Sequence, residues 1–310
     1  MHLDERGKVD LRVGQRAALG KIFTQDDFNQ FAVLSGDDNP IHVDEAFSAR
    51  TYFGKPVAHG MLLYSILSSL LGKQLPGPGS WQTEQELVFP SPTFAGEPVT
   101  FTVEITAIQG QNLAELTTHV ARTTGEAGAT GSTIVRLPGK ESLPASDTVH
   151  PASPHKKDMT SSEQEIRLKG LSLGQKASVR RTYTHSDMDD YADLTGDTNP
   201  LFSDSRFAQV NGFDGAIVPG PLLGALFSYL LGTRLPGRGT NWLKQRLSFK
   251  RAAYPLEEIT ALVEVVRLRP EKNLVNLRTT CEDPTGALVC DGEALVAVRD
   301  LLTGDEQDLV

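Results

Sequence analysis

Cysteine is scarce in this 310-residue chain, which holds only Cys281 and Cys290. Two thiols cannot build a disulfide framework, so a reducing, cytoplasmic setting is expected. They could face each other across a hairpin, but two buried apolar thiols is the simpler reading. A basic excess is also missing. Thirty Lys and Arg stand against 39 Asp and Glu, a net charge of −9. Nothing offsets repulsion from phosphates, which excludes a general nucleic-acid or anionic-membrane partner. The pair Arg180-Arg181 is too short to override this locally. Long apolar runs are absent as well: the longest, residues 61–71, is too short to span a bilayer. Residues 1–10 are polar and charged, so no signal peptide is expected, and Asp308-Leu309-Val310 is not a peroxisomal tripeptide.

What the chain does have is one chemically dense stretch, Gly36-Asp37-Asp38-Asn39-Pro40-Ile41-His42. It places a carboxylate, a carboxamide and an imidazole side by side. Gly36 permits backbone conformations other residues resist, and Pro40 pushes Asn39 out of the helical region. The segment therefore reads as a tight loop aiming Asp37 and His42 at one point. A carboxylate beside a group titrating near neutrality is what proton transfer through a bound water requires. A helix-terminating turn with a surface histidine is the competing reading of a lone copy.

The loop occurs twice. Gly196-Asp197-Thr198-Asn199-Pro200-Leu201-Phe202 repeats it 160 residues later, with Phe202 in place of His42. The same offset relates the flanking segments. Leu11-Arg12-Val13-Gly14-Gln15 and Leu171-Ser172-Leu173-Gly174-Gln175 read as strand entries. Thr24 and Thr184 are placed to cap helices whose third positions are Asp27 and Asp187. Phe28, Phe31, Ala32 and Leu34 fall on one helical face. A short helical turn is expected around residues 45–49. Then Pro56-Val57-Ala58-His59-Gly60 leads into a helix apolar nearly all round, ending at Gly72. Its counterpart follows Val218-Pro219-Gly220-Pro221 and ends at Gly232.

Beyond each central helix the period changes to two, with strands expected near 86–89, 99–105, 114–120 and 129–135, and again near 246–249, 259–266, 274–280 and 287–298. Each half is thus an α+β unit. The domains expected are 1–137 and 165–310, joined by a Pro/Ser-rich solvated linker over 138–164 that carries His150 and His155 without an assigned role.

The unit resembles a hot-dog fold, an antiparallel sheet wrapped round one central helix. The stretch Phe31-Ala32-Val33-Leu34-Ser35-Gly36-Asp37-Asp38-Asn39-Pro40-Ile41-His42 resembles the signature of the MaoC-like, R-specific enoyl-CoA hydratase (hydratase 2) family. The resemblance covers nearly all of the chain outside the linker. It implies two tandem hot-dog units packed as an intramolecular pseudo-dimer, with a homodimer as a further option. It also implies that Asp37 and His42 hold and activate a water, and that Asn39 arranges the site. The family's His-Gly, here His59-Gly60, offers a backbone N–H to a thioester carbonyl, and a helix start is physically suited to that. For His59 itself, a packed or capping side chain and a direct substrate contact both remain open.

The activity implied is a hydro-lyase of fatty acid metabolism. It adds water syn across a trans-2-enoyl thioester to give the 3R-hydroxyacyl product, or runs in reverse. CoA or an acyl carrier protein supplies the pantetheine arm, and neither metal nor redox cofactor is implied. Two departures stand out: Phe202 and Pro219 replace the second half's histidines, and the complete motif is N-terminal, whereas eukaryotic two-domain hydratases of the family keep it C-terminal. By analogy with such fusions, the degenerate half would leave room for a long acyl tail. Hydration of a branched or dicarboxylic enoyl-CoA is a variant of the same reading. The different-class alternative is a non-catalytic acyl-thioester binding module or structural subunit of a larger synthase.

Overall fold

The computed structural model describes residues 11–139 and 168–298, apart from 111, 169 and 239. Most of the expected linker, 140–164, lies outside the described residues, as do both ends of the chain. The N-terminal half runs β1 (Arg16–Ile22), α1 (Gln25–Ser35), α2 (Pro40–Val43), α3 (Glu45–Ala49), α4 (Gly60–Lys73), β2 (Trp81–Val88), β3 (Pro98–Gln109), β4 (Leu113–Arg122) and β5 (Ala127–Arg136). The C-terminal half repeats this as β6 (Lys176–Thr182), α5 (His185–Thr195), α6 (Ser205–Val210), α7 (Gly220–Thr233), β7 (Thr240–Phe249), β8 (Glu258–Arg269), β9 (Leu274–Glu282) and β10 (Leu288–Val298).

Local chemistry sets the helix ends. Thr24 accepts from the Asp27 amide at 3.1 Å while the Asp27 carboxylate accepts from the Thr24 amide at 2.6 Å, a reciprocal cap repeated by Thr184 and Asp187. α1 stops at Gly36, whose φ of +78° is a left-handed conformation few other residues accept, and Gly196 does the same at +69°. α4 is buried from Met61 to Gly72, matching its all-round apolar sequence. Each fully buried Leu or Met there contributes about 1.5–3 kcal/mol.

Two sequence readings are corrected. Residues 11–15 and 171–175 are not strand: Gly14 and Gly174, at φ +85° and +78°, close turns, and β1 and β6 begin only at Arg16 and Lys176. The loop at 36–42 is not wholly irregular either. Pro40 does not stop a helix, since α1 has already ended at Gly36, but starts one, occupying the first position of α2 with Asn39 as its cap.

All ten strands form one antiparallel sheet, ordered β1-β3-β4-β5-β2-β7-β10-β9-β8-β6. The halves meet where β2 pairs with β7. Glu86 lies opposite Arg246, and Val88 opposite Lys244 as Glu84 is opposite Ser248. Residues 86 and 246 are themselves repeat equivalents, so the pairing is self-complementary, as in a two-fold dimer interface. α4 packs against α7 across the same axis. Cys281 and Cys290 sit opposite each other on β9 and β10, free and buried. Among the described residues no helix is long and apolar enough to cross a membrane.

Candidate active site

The tight turn from α1 into α2 folds Asp37, Asn39 and His42 into one buried cluster, with Asp37 only 1% exposed. Ser35 Oγ accepts from the Asp37 amide at 3.1 Å, and Asn39 Oδ1 accepts from the Ile41 amide at 3.4 Å. These bonds hold the loop from within. His42 Nδ1 lies 2.7 Å from the Val57 carbonyl, which can only accept. The proton of the neutral ring is therefore on Nδ1, and Nε2 presents a bare lone pair. That Nε2 faces Asp37 Oδ2 at 4.0 Å, a gap that one shared hydrogen-bonding atom of substrate or water can bridge. Burial pushes the His42 pKa below its ordinary value, against the opposing pull of the Asp37 carboxylate and the Val57 carbonyl. The ring is a neutral acceptor near neutrality.

His59 sits behind this pair. It is fully buried, donates from Nε2 to the Asp37 main-chain carbonyl at 2.9 Å, and stacks on His42 with ring centroids 3.8 Å apart. It precedes α4 but makes no side-chain cap bond. Of the readings left open by the sequence, the packed one fits: His59 fixes the loop rather than lining the cavity. Burial, and then the neighbouring His42, hold its pKa well below the ordinary value, so the second ring stays neutral. Asp37, His42 and His59 offer ligand-type atoms within 4.8 Å of one another. The imidazoles stack at 28°, however, so their in-plane lone pairs run side by side rather than converging on one ion.

The other half completes the site. Ser228, on α7, donates to Asp37 Oδ2 at 2.5 Å. Asn39 Nδ2 donates to the Gly232 carbonyl at 3.3 Å. A Cβ on Gly232 would come within 3.0 Å of Asn39 Nδ2 and 3.2 Å of Asp37 Oδ1, so the helix must present bare backbone there. Ser228 was missed in the sequence, although a signal existed: Ser68 and Ser228 occupy the same position in two largely apolar helices, 160 residues apart, and Ser228 is the one serine of α7. A cavity of about 170 Å³ opens onto Asp37, Asn39 and His42. It is bounded by Gly60 and Leu63 of α4, by Phe89, and by Leu231 and Trp242 from the C-terminal half. Gly60 is the first residue of α4, where backbone N–H groups have no partner within the helix.

The second copy keeps the scaffold but not the carboxylate–imidazole pair. Ser68 reaches the buried Asp197 as Ser228 reaches Asp37, and Asn199 donates to the Ser80 carbonyl at 2.9 Å. But Tyr191, the counterpart of Phe31, turns its hydroxyl onto Asp197 Oδ2 at 3.3 Å. Phe202 replaces the imidazole. Trp81 packs edge-on against Phe213 with the Arg136 guanidinium over both rings. Only about 10 Å³ remains beside Phe202. The room for a long acyl tail that the resemblance implies is not present at that position.

The profile of the MaoC like domain matches residues 10–127 and again 172–285. An (R)-specific enoyl-CoA hydratase of Aeromonas caviae is 47% identical over 129 residues, 41% of this chain and 96% of that protein. A 3-hydroxybutyryl-CoA dehydratase of Methylorubrum extorquens is 36% identical over 132 residues, 43% of this chain and 84% of that one. Among solved structures, a MaoC-like dehydratase superposes with a TM-score of 0.73 at 19% identity, covering 94% of this chain and all of that one. A Mycobacterium tuberculosis protein with a double hot-dog fold gives 0.69 at 14%, covering 93% and 97%. The two matches span both halves and the fold agrees along the whole length, so the chain belongs to the MaoC-like domain family, with the domain present twice as a double hot-dog.

Proposed function

We propose that this protein is a hydro-lyase that hydrates trans-2-enoyl thioesters to 3R-hydroxyacyl thioesters, or dehydrates them. The observation that carries this is the bare His42 Nε2 facing the Ser228-held Asp37 carboxylate at 4.0 Å on an open cavity. A water seated between the two gives one proton to His42 Nε2 as its oxygen bonds to Cβ of the enoyl group. Asp37 accepts a hydrogen bond from the water's other O–H, which stays on the new hydroxyl, and offsets the charge on the new imidazolium. The thioester carbonyl takes up the electron pair as an enolate, stabilised by the Gly60 amide at the positive end of α4. The imidazolium then returns its proton to Cα. Both additions come from one side, because one imidazole serves both, which accounts for a syn outcome.

Thioester acidity makes the step possible without metal or redox cofactor. The names of the Aeromonas and Methylorubrum relatives support an acyl-CoA substrate, and a carrier-bound acyl group presents the same pantetheine arm. A non-catalytic binding module gains nothing from a complete Asp37–His42 pair. A cytoplasmic setting and action as a single-chain pseudo-dimer fit the scarce cysteine and the β2–β7 pairing. The test is loss of the conjugated-thioester absorbance of crotonyl-CoA on adding the purified chain, followed by chiral analysis. A 3R product is expected; no absorbance change, or a 3S product, overturns the reading.

A further inference from the structure

Thr93, which lines the active-site cavity, is 2% exposed, and its buried Oγ1 meets no hydrogen-bond partner among the described residues. An unsatisfied buried hydroxyl costs about 1–3 kcal/mol, so its retention asks for a purpose. The space it occupies is specially made. A Cβ on the facing Gly128 would lie 2.3 Å from Thr93 Oγ1. The repeat shows what the position looks like without that demand. Ala58 N–H donates to the Thr93 carbonyl at 2.8 Å, and Val218 N–H to the Ala253 carbonyl at the same distance, so Ala253 is the structural equivalent of Thr93. Gly128 is matched by Val289, because the turn bonds at Gly125 and Gly286 set the offset at 161 in this hairpin. The half that lacks the imidazole thus also lacks the hydroxyl and the gap it fills.

We infer that Thr93 is a substrate-binding residue whose hydroxyl pairs with the amide of the pantetheine arm next to the thioester sulfur, an inference that rests on the thioester reading above. Two placements select the amide over other polar groups. Thr93 is the first buried residue after the partly exposed segment Pro90-Ser91-Pro92, which also borders the cavity, so it faces the part of a ligand that leads out to solvent. The deeper walls, Leu63 and Leu231, are buried and apolar and suit the acyl end. Thr93 is also tied to Ala58, two residues before Gly60. With the thioester carbonyl at the Gly60 amide, an extended pair of residues spans roughly 6–7 Å. The amide nitrogen, separated from sulfur by an ethylene unit, falls within that reach. CoA and carrier-bound substrates share this amide, so the contact serves either.

The experiment compares two crotonyl thioesters, one of N-acetylcysteamine, which keeps the amide, and one of butanethiol, which lacks it. The wild type should favour the amide-bearing thioester in kcat/KM by roughly tenfold, the worth of one well-made hydrogen bond. Thr93→Val, close in shape, should bring the ratio of the two close to one, chiefly through KM. Thr93→Ala, which copies the second half, should do the same, and Thr93→Ser should restore the preference. A wild-type ratio that both variants leave intact overturns the inference. So does an equal loss on both thioesters, which would mark Thr93 as structural only. Absence of wild-type turnover with crotonyl-CoA itself would remove the enzymatic reading, a result distinct from either.

Discussion

At the level of single residues, the site depends on three side chains acting on one point. Asp37→Asn and His42→Ala should each lower kcat by about 10²–10⁴-fold. Because both serve one water in the proposed mechanism, the double variant should be little worse than either single one; steady-state rates on crotonyl-CoA read this out, and multiplicative losses would contradict it. Ser228→Ala removes a hydrogen bond to a carboxylate, worth about 1.5–3 kcal/mol, so a 10–100-fold drop in kcat is expected. Its repeat twin Ser68→Ala should leave turnover within a few-fold. The pH profile should carry the mark of burial. His42 must be neutral to accept a proton, and its pKa is lowered by desolvation. The acid limb of kcat/KM should therefore fall with a midpoint below the ordinary imidazole value of about 6.5; a midpoint above it would count against His42 as the acceptor.

Asp197 offers a different residue-scale test, of stability rather than rate. Burial raises its pKa from 3.8 to about 6, against hydrogen bonds from Ser68, Asn199 and Tyr191. A folded-state pKa above the unfolded one means the native chain binds the extra proton. The benefit is complete below pH 4 and is lost as pH rises through 6, a change of order 3 kcal/mol. Thermal unfolding followed from pH 5 to pH 8 should show the wild type losing stability relative to Asp197→Asn. Parallel curves for the two proteins would argue against the assignment.

At the level of elements, the contrast lies between α4 and α7, each of which enters its site at a glycine but from a different residue. α4 follows His59, which ties down the Asp37 carbonyl; α7 follows Pro219, and Pro221 removes an N–H from its first turn. Restoring one imidazole therefore should not restore a site. Phe202→His in a His42→Ala background is expected to remain inactive on crotonyl-CoA and longer enoyl-CoAs, and to cost about 1–3 kcal/mol through lost apolar packing. Tyr191 would still occupy Asp197, and only about 10 Å³ lies beside residue 202. Recovered hydration would show the second half to be a dormant enzyme rather than a scaffold.

On the scale of the whole molecule, the two halves are not separable units. β2 pairs with β7 along the seam, and the cavity at Asp37 and His42 draws Ser228, Leu231 and Trp242 from beyond it. An isolated segment 1–139 would expose the β2 edge and the α4 face that meets α7, both of which favour association. Light scattering of that fragment should show dimers or larger species, and its turnover should be at least tenfold below that of the full chain. A stable, monomeric, fully active fragment would refute the shared-site arrangement.

The sequence by itself determined whatever is written within a few residues or recurs at a fixed offset. The caps at Thr24 and Thr184, the stops at Gly36 and Gly196, the buried central helices and the change of period beyond them follow from local propensity and patterning. So do the pairing of Asp37 with His42 and the loss of that pair at Phe202. Short spacing fixes geometry when a glycine and a proline bracket it. The tertiary structure alone decided which oxygen orients Asp37, which nitrogen of His42 is bare, and why His59 faces the loop rather than the ligand. Those facts rest on Ser228, Val57 and the Asp37 carbonyl, partners brought near by sheet pairing and helix packing rather than by the chain's own spacing. Contacts across 191 residues leave no periodic trace, because their energy comes from burial between surfaces and not from any local rule.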